Sequence, residues 1–135
     1  MKVLRNVNLL LILLLSLSCT TPDKQQPTIE RVDVNAFEDK LNNLDNSVLI
    51  DVRTPDEYKS GHIDGATNID FNQTDKMKMA FEKLDHNQPM LIYCAAGGRS
   101  NRTRILMAEM GFTQVYELSS GMGGWEAAGK PISLK

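Results

Sequence analysis

Residues 89–111 constrain the fold more than any other part of the chain. Met90-Leu91-Ile92-Tyr93 is a short, wholly apolar run introduced by Pro89, the pattern of a strand buried on both faces. It leads directly into Cys94-Ala95-Ala96-Gly97-Gly98-Arg99-Ser100, a thiol followed by four very small residues, a cation and a hydroxyl. Beyond it, Arg104, Ile105, Met107, Ala108 and Met110 carry helical spacing up to Gly111, which reads as a C-terminal cap. A buried strand, a tight turn and a helix in that order imply a parallel α/β sheet. In such a sheet Cys94 lies at the carboxyl end of its strand, where these folds bind ligands.

The residue types around Cys94 point to a reactive thiol. Chain reversal into a helix aims several backbone N–H groups and the positive end of the helix dipole at one spot. Gly97 and Gly98 permit the curl, Ala95 and Ala96 keep the mouth open, and Arg99 adds a full positive charge. An ordinary cysteine titrates near ~8.5, and one at a helix N-terminus beside a cation falls to roughly 3.5–7.5. The expected species at neutral pH is therefore largely thiolate. The competing reading is a buried, inert core cysteine. A packed core site, however, needs neither open space nor an arginine.

The rest of the chain reads as strands alternating with helices. Ile29-Glu30-Arg31-Val32 predicts a short edge strand, and Asn35 a cap for a helix bearing Phe37, Leu41 and Leu44. Val48-Leu49-Ile50 predicts a second buried strand, closing at Asp51-Val52-Arg53. Thr54-Pro55-Asp56-Glu57 is a capping box with proline at the first helical position, opening a short helix to about Ser60. Thr67-Asn68-Ile69 predicts a third strand, residues 74–84 an imperfect helix, residues 113–118 a last strand, and the stretch around Trp125 a short helix. The outcome is a three-layer α/β domain, a central parallel sheet of about five strands flanked by helices.

Asp51 and Arg53 are expected at the same sheet edge as Cys94. There they either orient the loop or Arg99 and shape the field of the pocket, or form a structural ion pair. His62 is a candidate base but sits in a glycine-bracketed loop, where a turn hydrogen bond is the plainer role. His86 lies among polar turn residues and reads as solvated. Trp125 reads as core, with a pocket wall as the alternative.

The chain has 135 residues, 41% hydrophobic and 24% charged, with a formal net charge of −2. That suffices for one modest domain. No basic stripe interleaved with aromatics supports nucleic-acid binding, and two cysteines and two histidines at unrelated spacings make no metal site. Lys2 and Arg5 followed by an apolar core over residues 9–15 read as an export signal. Ser16-Leu17-Ser18-Cys19 resembles the lipobox of bacterial lipoproteins, although Ser16 stands where leucine is usual. This reading makes residues 1–18 a signal peptide, Cys19 the lipidated residue, and residues 19–27, polar and proline-containing, a lipid-anchored tether. A plain secretory signal or an uncleaved anchor is the alternative. On the lipoprotein reading Cys94 is the single thiol left to the folded domain, 28–135; a Cys19–Cys94 disulfide is the competing assignment.

Three motifs in order resemble those of rhodanese-like domains. Asp51 to Tyr58 with Gly61 to Ile69 is similar to their first signature, Tyr93 to Ser100 to their active loop, and Gly121 to Trp125 with Gly129-Lys130-Pro131-Ile132 to their C-terminal signature. Ser120 replaces the usual first glycine of the last signature, and Gly124 stands where alanine is common. The resemblance implies cofactor-free sulfur transfer, with Cys94 as the persulfide-forming nucleophile and Ala95, Ala96, Gly97, Gly98, Arg99 and Ser100 as its cradle. Asp51 and Arg53 enter as support. The implied partners are a small sulfane-sulfur donor such as thiosulfate, a thiol or cyanide acceptor, and a bacterial membrane, periplasmic or cell-surface, reached through the anchor. A non-catalytic partner-binding or redox-sensing module is the alternative. Phosphatases and arsenate reductases on the same fold resemble this loop but place five residues between cysteine and arginine; here there are four, a cradle sized for one sulfur atom.

Overall fold

The computed structural model describes residues 26–135. The export signal, Cys19 and all of the tether except residues 26 and 27 lie outside the described residues. Five strands, β1 (Thr28–Val32), β2 (Val48–Asp51), β3 (Thr67–Asn68), β4 (Met90–Tyr93) and β5 (Gln114–Leu118), alternate with five helices. The helices are α1 (Val34–Asn43), α2 (Pro55–Lys59), α3 (Thr74–Phe81), α4 (Gly98–Glu109) and α5 (Gly121–Ala127). Every strand pairing is parallel, in the order β1-β5-β4-β2-β3. The central strand β4 is the one whose sequence is apolar throughout, and all four of its residues are buried. The first predicted strand lies at a sheet edge, as expected.

Because side chains alternate along a strand, the sheet divides the core in two. Leu49, Leu91, Tyr93, Tyr116 and Leu118 pack with Phe37 of α1 and Met122 and Trp125 of α5 on one face. Ile50, Met90, Ile92 and Val115 pack with Met77 and Phe81 of α3 and Met107 of α4 on the other. Cys94 follows this alternation onto the α3/α4 face.

Local signals set most boundaries. Thr54 and Glu57 form the expected reciprocal capping box at the start of α2, with Pro55 in its first turn. Gly111, at φ 91°, follows the last residues of α4. The cap of α1 is Asp33 rather than Asn35: Asp33 Oδ1 accepts from Ala36 N at 2.9 Å. Both residue types cap well, and Asp33 takes the role because it is the first residue out of β1 and is still extended (φ −77°, ψ 175°). Helix α3 stops at Phe81 instead of reaching Leu84. In α4 the buried face is Ser100, Thr103 and Met107, while Ile105 is 46% exposed. Of the residues with apolar spacing, Met107 is core and Met110 packs against it, whereas Ile105 and Ala108 face outward, because the first two turns of α4 cover a polar cluster.

The paired departures at Ser120 and Gly124 have a steric explanation. A Cβ at Gly124 would lie 2.3 Å from Ser120 Cβ and 2.0 Å from its Oγ, so alanine at 124 does not fit while serine stands at 120. Gly124→Ala is expected to destabilise the domain by about 1–3 kcal/mol, the range for overpacking. In a Ser120→Gly background the same change turns neutral or gains up to about 1 kcal/mol from helix propensity. Urea denaturation of the wild type, both single variants and the double variant measures this coupling; additive effects would refute it.

Candidate active site

Strand β4 ends at Tyr93, and residues 94–97 turn the chain into α4. The turn is fixed from outside by the start of α5. Met122 N donates to Cys94 O at 2.8 Å and Gly123 N to Ala95 O at 3.0 Å. Two glycines allow this close approach. A Cβ at Gly97 (φ 90°) would lie 2.2 Å from Ser119 O, and one at Gly121 (φ 60°) 2.6 Å from Ala95 C.

The loop so clamped directs its donors at the sulfur. Gly97 N donates to Cys94 Sγ at 3.1 Å, and Ser100 Oγ lies 3.3 Å from it. Cys94 is only 1% exposed. Burial is the largest single influence on the thiol and pushes its pKa up. Hydrogen bonds from the Ser100 side chain and from the backbone of Ser100, Ala96 and Gly97 together outweigh burial and leave it lowered. The thiolate expected from the residue types is thus favoured chiefly by hydrogen bonds rather than by a bare charge.

Arg99 is not a free cation. Its Nη1 and Nη2 donate to Glu57 Oε2 and Oε1 at 2.7 and 2.8 Å. Hydrogen bonding to Glu57 raises the arginine pKa, and the charge of Cys94 adds to that in the same direction. Glu57 therefore does two jobs, closing the capping box of α2 and orienting the guanidinium toward the loop. Sequence reasoning found only the first, since nothing in a capping box announces a partner 42 residues away.

Asp51 and Arg53 sit at the expected sheet edge but point away from the sulfur. Asp51 has the parity of Leu49, on the α1/α5 face. Its carboxylate receives Arg53 Nε at 3.0 Å and Nη2 at 2.6 Å, and Arg53 Nη2 also donates to Gly61 O at 2.6 Å. Arg99 is bonded to Glu57, not to Asp51. The pair closes the loop after α2, the structural alternative allowed by the sequence. His62 is likewise occupied, its Nδ1 3.0 Å from Tyr58 O and its ring stacked on Tyr58. Trp125 is core and donates to Pro131 O. His86, read as solvated, stacks on Phe112 at 4.1 Å.

Two residues that sequence reasoning passed over complete the site. Glu117 of β5 is fully buried, with Oε2 2.6 Å from Arg31 Nε and Oε1 2.5 Å from Ser100 Oγ. Arg31 Nη2 in turn donates to Gly97 O at 3.4 Å and Ser119 O at 3.3 Å, tying the loop to the α5 turn. The available signal was a lone carboxylate inside Val115-Tyr116-Glu117-Leu118, because a charge in a buried strand requires a partner. Among the described residues no cluster of His, Cys, Asp and Glu is placed to hold a metal ion, and no helix is long and apolar enough to cross a membrane.

Two measurements test this division of roles. Asp51→Ala, which strands a buried guanidinium, should cost about 3–5 kcal/mol in urea denaturation and leave the alkylation pH profile of Cys94 in the folded fraction unchanged. A shifted profile would return Asp51 to the site. Bonding to Arg99 lowers the Glu57 carboxyl from 4.5 to about 2. A carboxylate depressed in the folded state adds stability that is complete above its unfolded pKa and is lost as pH falls through the folded value. The stability gap between wild type and Glu57→Gln should therefore be constant at neutral pH and shrink below about pH 4.5 toward pH 2. A gap that does not change across this window would contradict the pairing.

Comparison with known proteins gives a consistent result. Residues 33–128 match the rhodanese-like domain family. The chain is 38% identical over 66 residues to thiosulfate sulfurtransferase PspE of Escherichia coli, covering 49% of this chain and 62% of that protein. It is 33% identical over 81 residues to thiosulfate sulfurtransferase GlpE of Pseudoalteromonas translucida, 60% of this chain and 74% of that one. An uncharacterized Bacillus subtilis protein, YqhL, is 36% identical over 77 residues, 57% of this chain and 59% of its own length. The matched stretch thus spans about three fifths of YqhL and of PspE. Among solved structures, a rhodanese-related protein from Thermoplasma volcanium superposes with a TM-score of 0.68 at 20% identity, over 78% of this chain and 99% of that one. A rhodanese-like domain from Anabaena sp. does so with 0.67 at 26% identity, over 76% and 77%. With the parallel five-strand sheet and the cysteine loop at its carboxyl edge, these matches establish that the chain belongs to the rhodanese-like domain family.

Proposed function

We propose that this domain is a sulfurtransferase that moves a sulfane sulfur from a donor such as thiosulfate to a thiophilic acceptor through a persulfide on Cys94. The observation that carries the reading is the convergence of loop donors on one buried sulfur: the amide of Gly97 at 3.1 Å, the hydroxyl of Ser100 at 3.3 Å, and the favourable backbone contacts of Ala96 and Ser100. The Cys94 thiolate attacks the outer sulfur of the donor. A Cys94–sulfur bond forms, the donor's S–S bond breaks, and sulfite leaves with the bonding pair when the donor is thiosulfate. The outer sulfur carries the negative charge, and the amide nest holds it without reorganising. Cyanide or a thiolate then attacks that sulfur and releases the Cys94 thiolate.

Arg99, half-exposed at the loop rim, draws an anionic donor inward and stabilises charge as it shifts during exchange. Its bond to Glu57 limits that pull. With four residues between Cys94 and Arg99, the cradle suits one sulfur atom better than a tetrahedral oxyanion. The relatives that carry the name thiosulfate sulfurtransferase support thiosulfate as a donor. The sequence from Lys2 to Cys19 supports export and lipid anchoring to a bacterial membrane, periplasmic or at the cell surface.

Mass spectrometry of the reduced full chain after thiosulfate should show one added sulfur on the peptide containing Cys94, removed by cyanide and absent in Cys94→Ser. No adduct at Cys94 with any sulfane donor tested would sink the transferase reading in favour of a binding or sensing module. Growth on a labelled fatty-acid precursor should label the wild type and not Cys19→Ala. Equal labelling of both, or of neither, refutes the anchor.

A further inference from the structure

Glu117 is a buried carboxylate that sulfur transfer, as described, does not use. Register places it under the loop: it pairs with Arg31 on β1 and with Ile92 on β4, and Ile92 shares its face with Cys94 two residues on. Ser100, reaching down from α4, stands between the two acidic groups. Its Oγ is 2.5 Å from Glu117 Oε1 and 3.3 Å from Cys94 Sγ.

A serine hydroxyl has one hydrogen to donate, and here two anionic acceptors compete for it. If it donates to an ionised Glu117, it offers Cys94 only a lone pair, which accepts the S–H of a neutral thiol. If it donates to a Cys94 thiolate, its lone pair faces Glu117, which must then carry a proton. Both arrangements satisfy every hydrogen bond, and they differ by the transfer of one proton across Ser100.

We propose that Glu117 is a relay residue that takes the thiol proton of Cys94 through Ser100, so that the two acidic groups share one proton. In the step the S–H proton passes to Ser100 Oγ while the Ser100 proton passes to Glu117 Oε1. Thiol and carboxylate become thiolate and carboxylic acid, and the pair keeps one negative charge throughout. The nucleophile is thereby made at a sulfur only 1% exposed, with no change in buried charge. Arg31 holds the other carboxylate oxygen at 2.6 Å and so keeps Oε1 turned to Ser100.

The charged groups around the pair are few. Arg31 faces it from β1. Arg99 comes from the first turn of α4, balanced by Glu57 of α2, and Arg104 of α4 donates to Asn101 Oδ1 and to Ile29 O. Bonding to Arg99 holds Glu57 at about 2. Asp51 and His62 lie on the other face of the sheet. Titration of the pair is therefore separable from its surroundings.

This proposal deepens the reading of the same site, yet its test uses no sulfur donor, so its failure is distinct from failure of sulfur transfer. The full chain, reduced and labelled with 13C at cysteine Cβ and glutamate Cδ, is followed by NMR against pH, with Cys94→Ser and Glu117→Gln assigning the signals. Two groups sharing a proton titrate in two macroscopic steps that both report. The Cys94 and Glu117 signals should each move in the same two steps. In Glu117→Gln the Cys94 signal should collapse to a single step lying between the two wild-type steps. Ser100→Ala should uncouple the signals, and Ser100→Thr, which keeps the hydroxyl, should restore the coupling. A single-step Cys94 curve in the wild type, or a two-step curve that survives Glu117→Gln, overturns the relay. Should Glu117→Gln fail to fold by circular dichroism, the wild-type curve and the two Ser100 variants decide the matter alone.

Discussion

Surrounding one buried sulfur with hydrogen-bond donors is the constraint on which the rest of this structure depends. A buried charge is costly unless it is paired or hydrogen-bonded, and Cys94 is almost wholly buried. The fold answers with hydrogen bonds rather than with a counter-ion: the Ser100 hydroxyl and the loop amides reach the sulfur, while Arg99 is bonded to Glu57 and Arg31 to Glu117. Amides can be brought to one point only if the chain curls tightly, and the curl holds only because α5 braces it. The two backbone bonds from Met122 and Gly123, and the glycines at 97 and 121, shape the loop as much as its own residues do.

The alternation of side chains through the sheet sorts the polar residues at its carboxyl edge into two sites. On one face Asp51 and Arg53 form a buried, hydrogen-bonded pair that secures the loop after α2. On the other, Cys94, Ser100, Glu117 and Arg31 form a connected network beneath α4. A one-residue change of parity would exchange these roles. This is why the two charged residues flanking Val52 in the strand-end motif take no part in the loop, whereas an acid from the neighbouring strand does.

The sequence–structure correspondence is close where signals are local. The capping box at Thr54, the left-handed glycines 97 and 111, the apolar β4 and the strand–loop–helix around Cys94 are all dictated by interactions within a few residues and appear where residue type places them, whereas Gly98, expected to share the curl, is already the first residue of α4. It weakens where a residue's partner is remote. Glu57 is legible as a cap but not as the partner of Arg99, Ile105 carries helical spacing yet is 46% exposed, and Glu117 passes unnoticed inside a strand. In each case the deciding contact crosses between elements far apart in the chain, and no local pattern encodes it.

By itself, then, the amino-acid sequence determined the class of fold, the position of Cys94 at the strand-to-helix turn and the span of its loop, because strand burial, chain reversal and helix initiation are short-range events. The tertiary structure decided which donors reach the sulfur, what restrains Arg99, and which acid lies behind Ser100. Those depend on strand order and on which face each side chain takes. Both are settled only when β1, β4 and β5 lie side by side beneath α4.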